Sequence, residues 1–242
     1  MSKHPAAIET DSTGFRRRGF EVTRLVAFVD AAFAFAVTLL VISLDGMPSG
    51  VGELVDALKG IPAFAASFAL LAQIWWTHTR YTWRFGLEDG PTVACSLLLV
   101  VLVRVYVYPL KILFATGFSW ITGGWLPAHF AIGTVADLRA MFMIYGMAWG
   151  MLGLTLIALY RHAWNLRDEL GLSEAERDHV KLQILGYAFM PVLGALSALL
   201  AWGIPERPEP WMVGSPGLVY FGMLLQRPVL AIARRHLQSG AP

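Results

Sequence analysis

The chain has 242 residues, of which 56% are hydrophobic and only 15% charged, whereas a soluble domain carries about 25% charged residues. This composition excludes an ordinary soluble domain and favours one integral membrane domain, while a net charge of +2 gives no indication of a nucleic-acid partner. The single cysteine, Cys95, has no partner for an intramolecular disulfide, and its apolar neighbours in the sequence predict a place in the core.

The first twenty residues are polar, include three consecutive arginines, and lack the features of a cleavable signal peptide. We predict a disordered N-terminus over residues 1–20. One six-helix transmembrane domain would follow over residues 21–235, with a short C-terminal tail at residues 236–242.

The stretch from Leu25 to Ser43 holds nineteen residues, of which only Asp30 is charged. A helix needs about 20 mostly apolar residues to cross a bilayer, so this stretch predicts the first membrane span. Because a charge inside a membrane is expensive, Asp30 requires a polar partner or water, and it is a candidate functional residue.

Five further apolar stretches have the length of about 20 residues that a bilayer crossing requires. They cover residues 61–79, 92–114, 137–160, 182–203 and 212–233. Glycines after the first span predict a short loop, and the segment 115–136 predicts an outer loop. In the charged segment 161–181, Ser173 and Glu176 have the spacing of a capping box, which predicts a short amphipathic helix.

Six spans place both termini on one side of the membrane, and the distribution of positive charge indicates which side. The side that carries the termini holds most of the basic residues, namely Lys3, Arg16, Arg17, Arg18, Arg24, Arg80, Arg84, Arg161, Arg167, Arg177, Lys181, Arg234 and Arg235. The opposite side holds Lys59, Lys111, Arg139 and Arg207. The positive-inside rule therefore predicts cytoplasmic termini. The sequence contains no internal repeat.

Helical geometry divides the first span into two faces. At about 100° per residue, one sector holds a largely apolar set with a single hydroxyl, namely Arg24, Phe28, Ala31, Phe35, Thr38, Ile42 and Asp45. Asp30 lies outside this sector and points toward neighbouring helices. The first face is either a packing seam or a functional surface, and the pattern alone does not choose between them.

Arg24, Phe28 and Asp30 are followed by an apolar run, with Thr38 eight residues after the aspartate. This arrangement resembles the first helix of the transmembrane protein 175 family of potassium channels. Val29 departs from the family pattern, which has a serine at that position. The resemblance covers the first helix and the end of the second, and beyond them only the six-span layout agrees.

The resemblance implies a prokaryotic member in the cell membrane, with four copies of a single repeat around a central pore lined by the first helix. Potassium would pass as the permeant ion without a cofactor, and the partners would be lipid, monovalent cations and the other subunits. Phe35 and Ile42 would form hydrophobic gates, and Thr38 a ring of oxygens that select ions. Ala31 and Asp45 would line the pore.

Alternatives to these assignments remain open on the residues alone. The family has isoleucine or leucine at the position of Phe35. The alternative to a gate is that Phe35 is an ordinary residue of helix packing. The hydroxyl of Thr38 has a second possible role, because a membrane threonine can bond back to a carbonyl such as that of Ala34. Asp45 would otherwise be a solvated loop residue, rather than one of four carboxylates that concentrate cations at the pore mouth.

The resemblance also implies a structural charge network at the cytoplasmic end of the first two helices. In the family, the arginine and aspartate of the first helix are coupled to a tryptophan and a histidine on the second. The corresponding residues here are Arg24, Asp30, Trp75 and His78, and we assign Phe28, the phenylalanine of the family pattern, to the same network. The network would have one hydroxyl fewer, because valine replaces the family's serine.

Arg104 lies deep in the third span and requires a carboxylate, backbone carbonyls or water, with Asp30 and Asp137 as candidate partners. An alternative function is therefore a proton-coupled secondary transporter or a proton-permeable channel that uses Asp30 and Arg104 as a relay. The absence of an internal repeat argues against a transporter. A non-conducting membrane scaffold is a third possibility.

No enzyme is predicted, because the sequence lacks a phosphate-binding glycine loop, metal-ligand spacing and a nucleophile–base pair. Four further histidines are predicted to be surface residues, and they are His129, His162, His179 and His236.

Overall fold

The computed structural model describes residues 9–11, 13–42, 49–128 and 133–239, and every regular element in these ranges is helical. In chain order the helices are α1 Arg24–Ile42, α2 Val51–Leu58, α3 Ile61–Phe85, α4 Gly90–Ile121, α5 Val135–Asn165, α6 Glu174–Trp202, α7 Pro210–Leu218 and α8 Gln226–Ser239. A 3-10 segment, Val219–Leu225, connects α7 to α8.

Within the described ranges, six helical segments are long and apolar enough to cross a membrane. Four of them are α1, α4, α5 and α6, the second segment combines α2 with α3, and the sixth combines α7 with α8. The predicted all-α architecture with six spans is confirmed.

Several helices extend beyond their predicted bounds. The predicted loop before the second span contains α2, and α3 continues six residues past its expected end to Phe85, where Gly86 adopts a left-handed φ of 61°. Similarly, α4 continues into the predicted outer loop, up to the positive-φ glycines Gly123 and Gly124. Hydropathy detects only the apolar middle of a helix, whereas its end is set by residues that break the backbone pattern.

Ser173 caps a different helix from the one predicted. Its side chain accepts a hydrogen bond from the Glu176 backbone in a complete capping box, but the helix that follows is the long α6 rather than a short separate one. The sixth span is less regular than predicted. Pro216 lies inside α7, and Pro228 lies in the first turn of α8, where the missing N–H groups interrupt continuous helix geometry.

The buried face of α1 joins the first span to the rest of the subunit. Val29, Phe33, Ala36 and Leu40 follow at intervals of three or four residues and are all buried. This face packs against α3 and α4. Consequently, the rotation of α1 about its own axis is fixed by the pattern of apolar residues along it.

Glycines allow α5 and α6 to approach closely in an antiparallel pair. A Cβ atom added at Gly146 would meet the backbone carbonyl of Gly194 well inside van der Waals contact, and the reverse is also true. One turn further along α5, a Cβ atom at Gly150 would contact Pro191 at 3.4 Å. Small residues at this spacing let two membrane helices pack backbone against backbone.

The described part of residues 9–20 packs against the helices, whereas the other residues of the segment predicted to be disordered lie outside the described residues. Phe15 is buried, and its ring lies edge-on to Phe85 with 5.5 Å between centroids. Arg18 Nη2 forms an ion pair with Glu176 Oε2 at 2.9 Å, which joins this segment to α6. Gly19 lies so close to the carbonyl of Thr82 that a side chain would not fit. The buried ring of Phe15 and the ion pair of Arg18 hold this segment on the helices, although its composition is polar.

A second ion pair fixes this segment to the end of α3. Arg84 donates to Asp11 Oδ2 from Nε at 2.9 Å and from Nη2 at 2.6 Å. Burial alone would raise the pKa of Asp11, but hydrogen bonds from Thr13, Arg84 and the amide of Phe15 hold that pKa well below its ordinary value. Asp11 therefore stays ionised, and the pair persists, at every pH near neutrality.

Gly146→Ala should destabilise the subunit, because a fixed backbone carbonyl occupies the space that the new methyl group would need. Overpacking of this kind costs about 1–3 kcal/mol, which should lower the thermal midpoint of the purified protein by about 5 °C. Gly117→Ala is the matched control, because Gly117 is also helical and has open space at its Cβ position. Equal midpoints for the two variants would contradict the close approach of α5 and α6.

Candidate functional site

The two faces of α1 have opposite environments. Opposite the buried face, the side chains of Phe28, Ala31, Phe35 and Thr38 are exposed, and Phe35 is 48% exposed. These are the residues that the sequence placed together in one sector. The side chain of Ile42 and the whole of Asp45, which belong to the same predicted set, lie outside the described residues.

Thr38 donates its hydroxyl proton to the carbonyl oxygen of Ala34 at 3.0 Å. This is the backbone interaction that the sequence left open as an alternative role. It does not remove the oxygen from the exposed face, because a hydroxyl that donates one proton keeps its lone pairs as acceptors. The geometry therefore permits both the backbone bond and contact with a cation.

Arg104 contacts the ring of Phe35 rather than a carboxylate. Its guanidinium carbon lies 4.6 Å from the ring centroid, within the range of a cation–π interaction. Of the two predicted partners, Asp137 is hydrogen bonded in the capping box of Thr134, and Asp30 is bonded to α3. No ion pair joins Arg104 to either carboxylate in the described ranges, so neither candidate is bound to it within the subunit.

Asp30 connects α1 to α3 through a side-chain hydrogen bond. Trp75 Nε1 donates to Asp30 Oδ1 at 2.7 Å. The preceding residue, Val29, is 0% exposed, so the family's serine is replaced here by an apolar side chain at a fully packed position. The indole donor provides the polar partner that the carboxylate requires in an apolar environment.

His78 connects α3 to α4 rather than directly to Asp30. Its Nε2 lies 2.9 Å from the hydroxyl of Ser96, and both residues are buried. Sequence reasoning missed Ser96, although a serine in the apolar run of the third span is a recognisable signal for a buried hydrogen bond. Arg24 and Phe28, the other predicted members of the network, lie on the exposed side of α1. Within the described ranges, no ion pair involves Arg24.

Two histidines that were predicted to be surface residues are held in polar contacts between elements. His162 Nε2 is bonded to Asp89 Oδ2. His179 Nε2 faces two donors, Arg84 Nη1 at 2.8 Å and Gln183 Nε2 at 3.2 Å. Because both partners donate, this nitrogen is an acceptor and the imidazole of His179 is neutral.

Trp75→Phe should destabilise the subunit more than Trp76→Phe, because only the first change leaves the Asp30 carboxylate without its donor. Loss of a hydrogen bond to a charged group costs about 1.5–3 kcal/mol, whereas Trp76 is 41% exposed. Thermal unfolding of the two purified variants would measure the difference. Equal losses of stability would show that the hydrogen bond contributes little.

Comparisons with known proteins agree on one family. The family model of the endosomal/lysosomal potassium channel TMEM175 matches residues 24–109. A protein of Marivirga tractuosa named as a potassium channel is 31% identical over 199 residues, which cover 78% of this chain and 80% of that protein.

The fold also matches a solved structure. The crystal structure of a variant of the potassium channel MtTMEM175, in complex with a nanobody–MBP fusion protein, has 26% sequence identity and a TM-score of 0.76. The match covers 93% of this chain and 97% of that one. These relatives are named as channels and not as enzymes. By its sequence identity over most of both chains and by its fold, the chain belongs to the TMEM175 family of potassium channels.

Proposed function

We propose that the chain is one subunit of a potassium-permeable cation channel that conducts passively through a central pore lined by α1. The observation that carries this proposal is the uncovered face of α1. In the single subunit, Phe28, Ala31, Phe35 and Thr38 remain exposed although the opposite face of the same helix is buried. Four copies arranged around a fourfold axis would bring these faces together.

The composition of this face suits a pore better than a lipid contact. Ala27, Ala31 and Ala34 are exposed along it, and small residues of this kind allow four helices to approach one axis. A hydroxyl near the middle of the span and an arginine at its start would gain nothing from lipid. The names of the relatives also support conduction of potassium by this chain.

In the proposed tetramer, Phe35 is the gate and Thr38 is the selectivity ring. Four aromatic rings on one axis would exclude water from a narrow passage, which is how a hydrophobic constriction closes a pore. One turn away, four threonine oxygens would replace part of the hydration shell of an ion. The bond from Thr38 to Ala34 supports this role, because the hydroxyl proton is held by the backbone and the lone pairs are left for the ion.

The remaining features of the proposal follow from the sequence. Ala31, Ile42 and Asp45 would extend the pore lining, and the network around Asp30 would keep α1 in place. The termini would be cytoplasmic, and the homotetramer would lie in a prokaryotic cell membrane. A proton relay through Asp30 and Arg104 is less favoured, because the first residue is bonded to Trp75 and the second lies over Phe35.

Potassium flux from liposomes tests the proposal. Phe35→Ala should raise the flux about tenfold, which corresponds to a barrier lower by about 1.4 kcal/mol, because it removes the apolar constriction. Thr38→Ala should narrow the difference between potassium and sodium flux. Phe68→Ala, which truncates a phenylalanine exposed on α3, is the control and should leave both fluxes unchanged. If the flux of wild type and of every variant were no higher than that of empty liposomes, the channel proposal would be wrong. Asp30 would then be tested for proton coupling.

Arg104→Gln should also raise the potassium flux, because the guanidinium holds the Phe35 ring in position. A cation–π contact contributes about 0.5–2 kcal/mol, so a change of roughly two- to tenfold is expected. In a Phe35→Leu background the same substitution should have little effect, because no ring remains to be held. An undiminished effect in that background would instead indicate electrostatic repulsion of cations by Arg104.

A further inference from the structure

A cavity of about 370 Å³ lies between the N-terminal segment and the last turns of α3. Four residues of α3 contribute to its lining from one side of the helix, at positions spaced by four, three and one, and they are Trp76, Arg80, Trp83 and Arg84. Residues 9–11, 13, 15 and 17 form the opposite wall. The cavity is separate from the exposed face of α1 and has no part in the proposed pore.

The charges around the cavity are only partly compensated. Its lining contains three guanidinium groups and two carboxylates. Arg84 is paired with Asp11, and Arg17 Nη1 is paired with Glu9 Oε2 at 3.2 Å. Arg80 also lines the cavity, and within the described ranges it forms no ion pair. Its positive charge is therefore the one in the lining without a matching carboxylate, so the cavity favours an occupant that brings negative charge.

Two tryptophans place the cavity at the edge of the membrane. Trp76 and Trp83 are 41% and 40% exposed, and their rings meet edge to face with centroids 5.4 Å apart. Arg17 lies over the ring of Trp83, 5.3 Å from its centroid. Exposed tryptophans collect at the level of the lipid headgroups, and the neighbouring arginines belong to the side that the charge distribution predicts to be cytoplasmic.

We propose that this cavity binds a phosphate group, with Arg80 as the principal ligand and Arg17 as the second. A guanidinium donates several hydrogen bonds in a fixed fork that matches phosphate oxygens, and basic pockets beside membrane helices accept anionic headgroups. The phosphate belongs either to an anionic lipid or to a soluble phosphate compound. Occupancy would link the N-terminal segment to α3 and would stabilise the subunit.

The test measures the thermal midpoint of the purified full-length protein in detergent with three added probes. These are short-chain phosphatidylglycerol, short-chain phosphatidylcholine and inorganic phosphate. A ligand at about 100 times its dissociation constant should raise the midpoint by roughly 5 °C or more. A rise with phosphatidylglycerol alone assigns the site to an anionic lipid, and a rise with inorganic phosphate assigns it to a soluble phosphate. No rise with either probe overturns the proposal.

Substitutions locate the effect. Arg80→Gln should abolish the rise or weaken the apparent affinity at least tenfold, and Arg80→Lys should retain part of it. Arg161→Gln removes the same charge from an exposed position outside the cavity and should retain the whole rise. An equal loss in Arg161→Gln would indicate nonspecific attraction and overturn the proposal. If Arg80→Gln does not fold, native mass spectrometry of Arg80→Lys and wild type compares bound lipid directly, and equal binding to both would count against Arg80 as the ligand.

Discussion

The hydrogen bond from Trp75 to Asp30 is the constraint on which the arrangement of the first span depends. A carboxylate within an apolar helix cannot be left without a donor, so α1 must turn Asp30 toward α3. The same rotation buries Val29 and Phe33 and turns Phe35 away from the core. The hydrogen bond of Asp30 and the apolar residues of the buried face thus require the same rotation of α1. This rotation leaves the opposite face uncovered for the proposed pore.

The subunit combines a tightly packed part with a part that is open on one side. Backbone contact at Gly146 and Gly194 holds α5 and α6 together, where no side chain separates the two helices. By contrast, α1 packs on one face only, against α3 and α4. This arrangement suits the proposed gate on α1, because the rest of the subunit supports a helix of which only one face is packed.

Polar groups at the end of the subunit near the N-terminal segment are arranged mainly in pairs between distant parts of the chain. Arg18 pairs with Glu176 and Arg84 pairs with Asp11, so that the segment before α1 is tied to α6 and to α3. Arg80 lines the cavity beside these pairs, and within the described ranges it forms no ion pair. Its charge is left without a matching carboxylate, and the proposed phosphate would supply one.

The sequence by itself determined the six spans, the family and the two faces of α1, because apolar length and helical periodicity are local properties of the chain. It also indicated that Asp30 required a partner and that Trp75 was suitably placed. Only the tertiary structure decided that Arg104 lies over Phe35, that His78 meets Ser96, and that the polar N-terminal segment packs on the helices. These contacts join residues far apart in sequence, and their partners depend on how the helices rotate against one another, which no local pattern specifies.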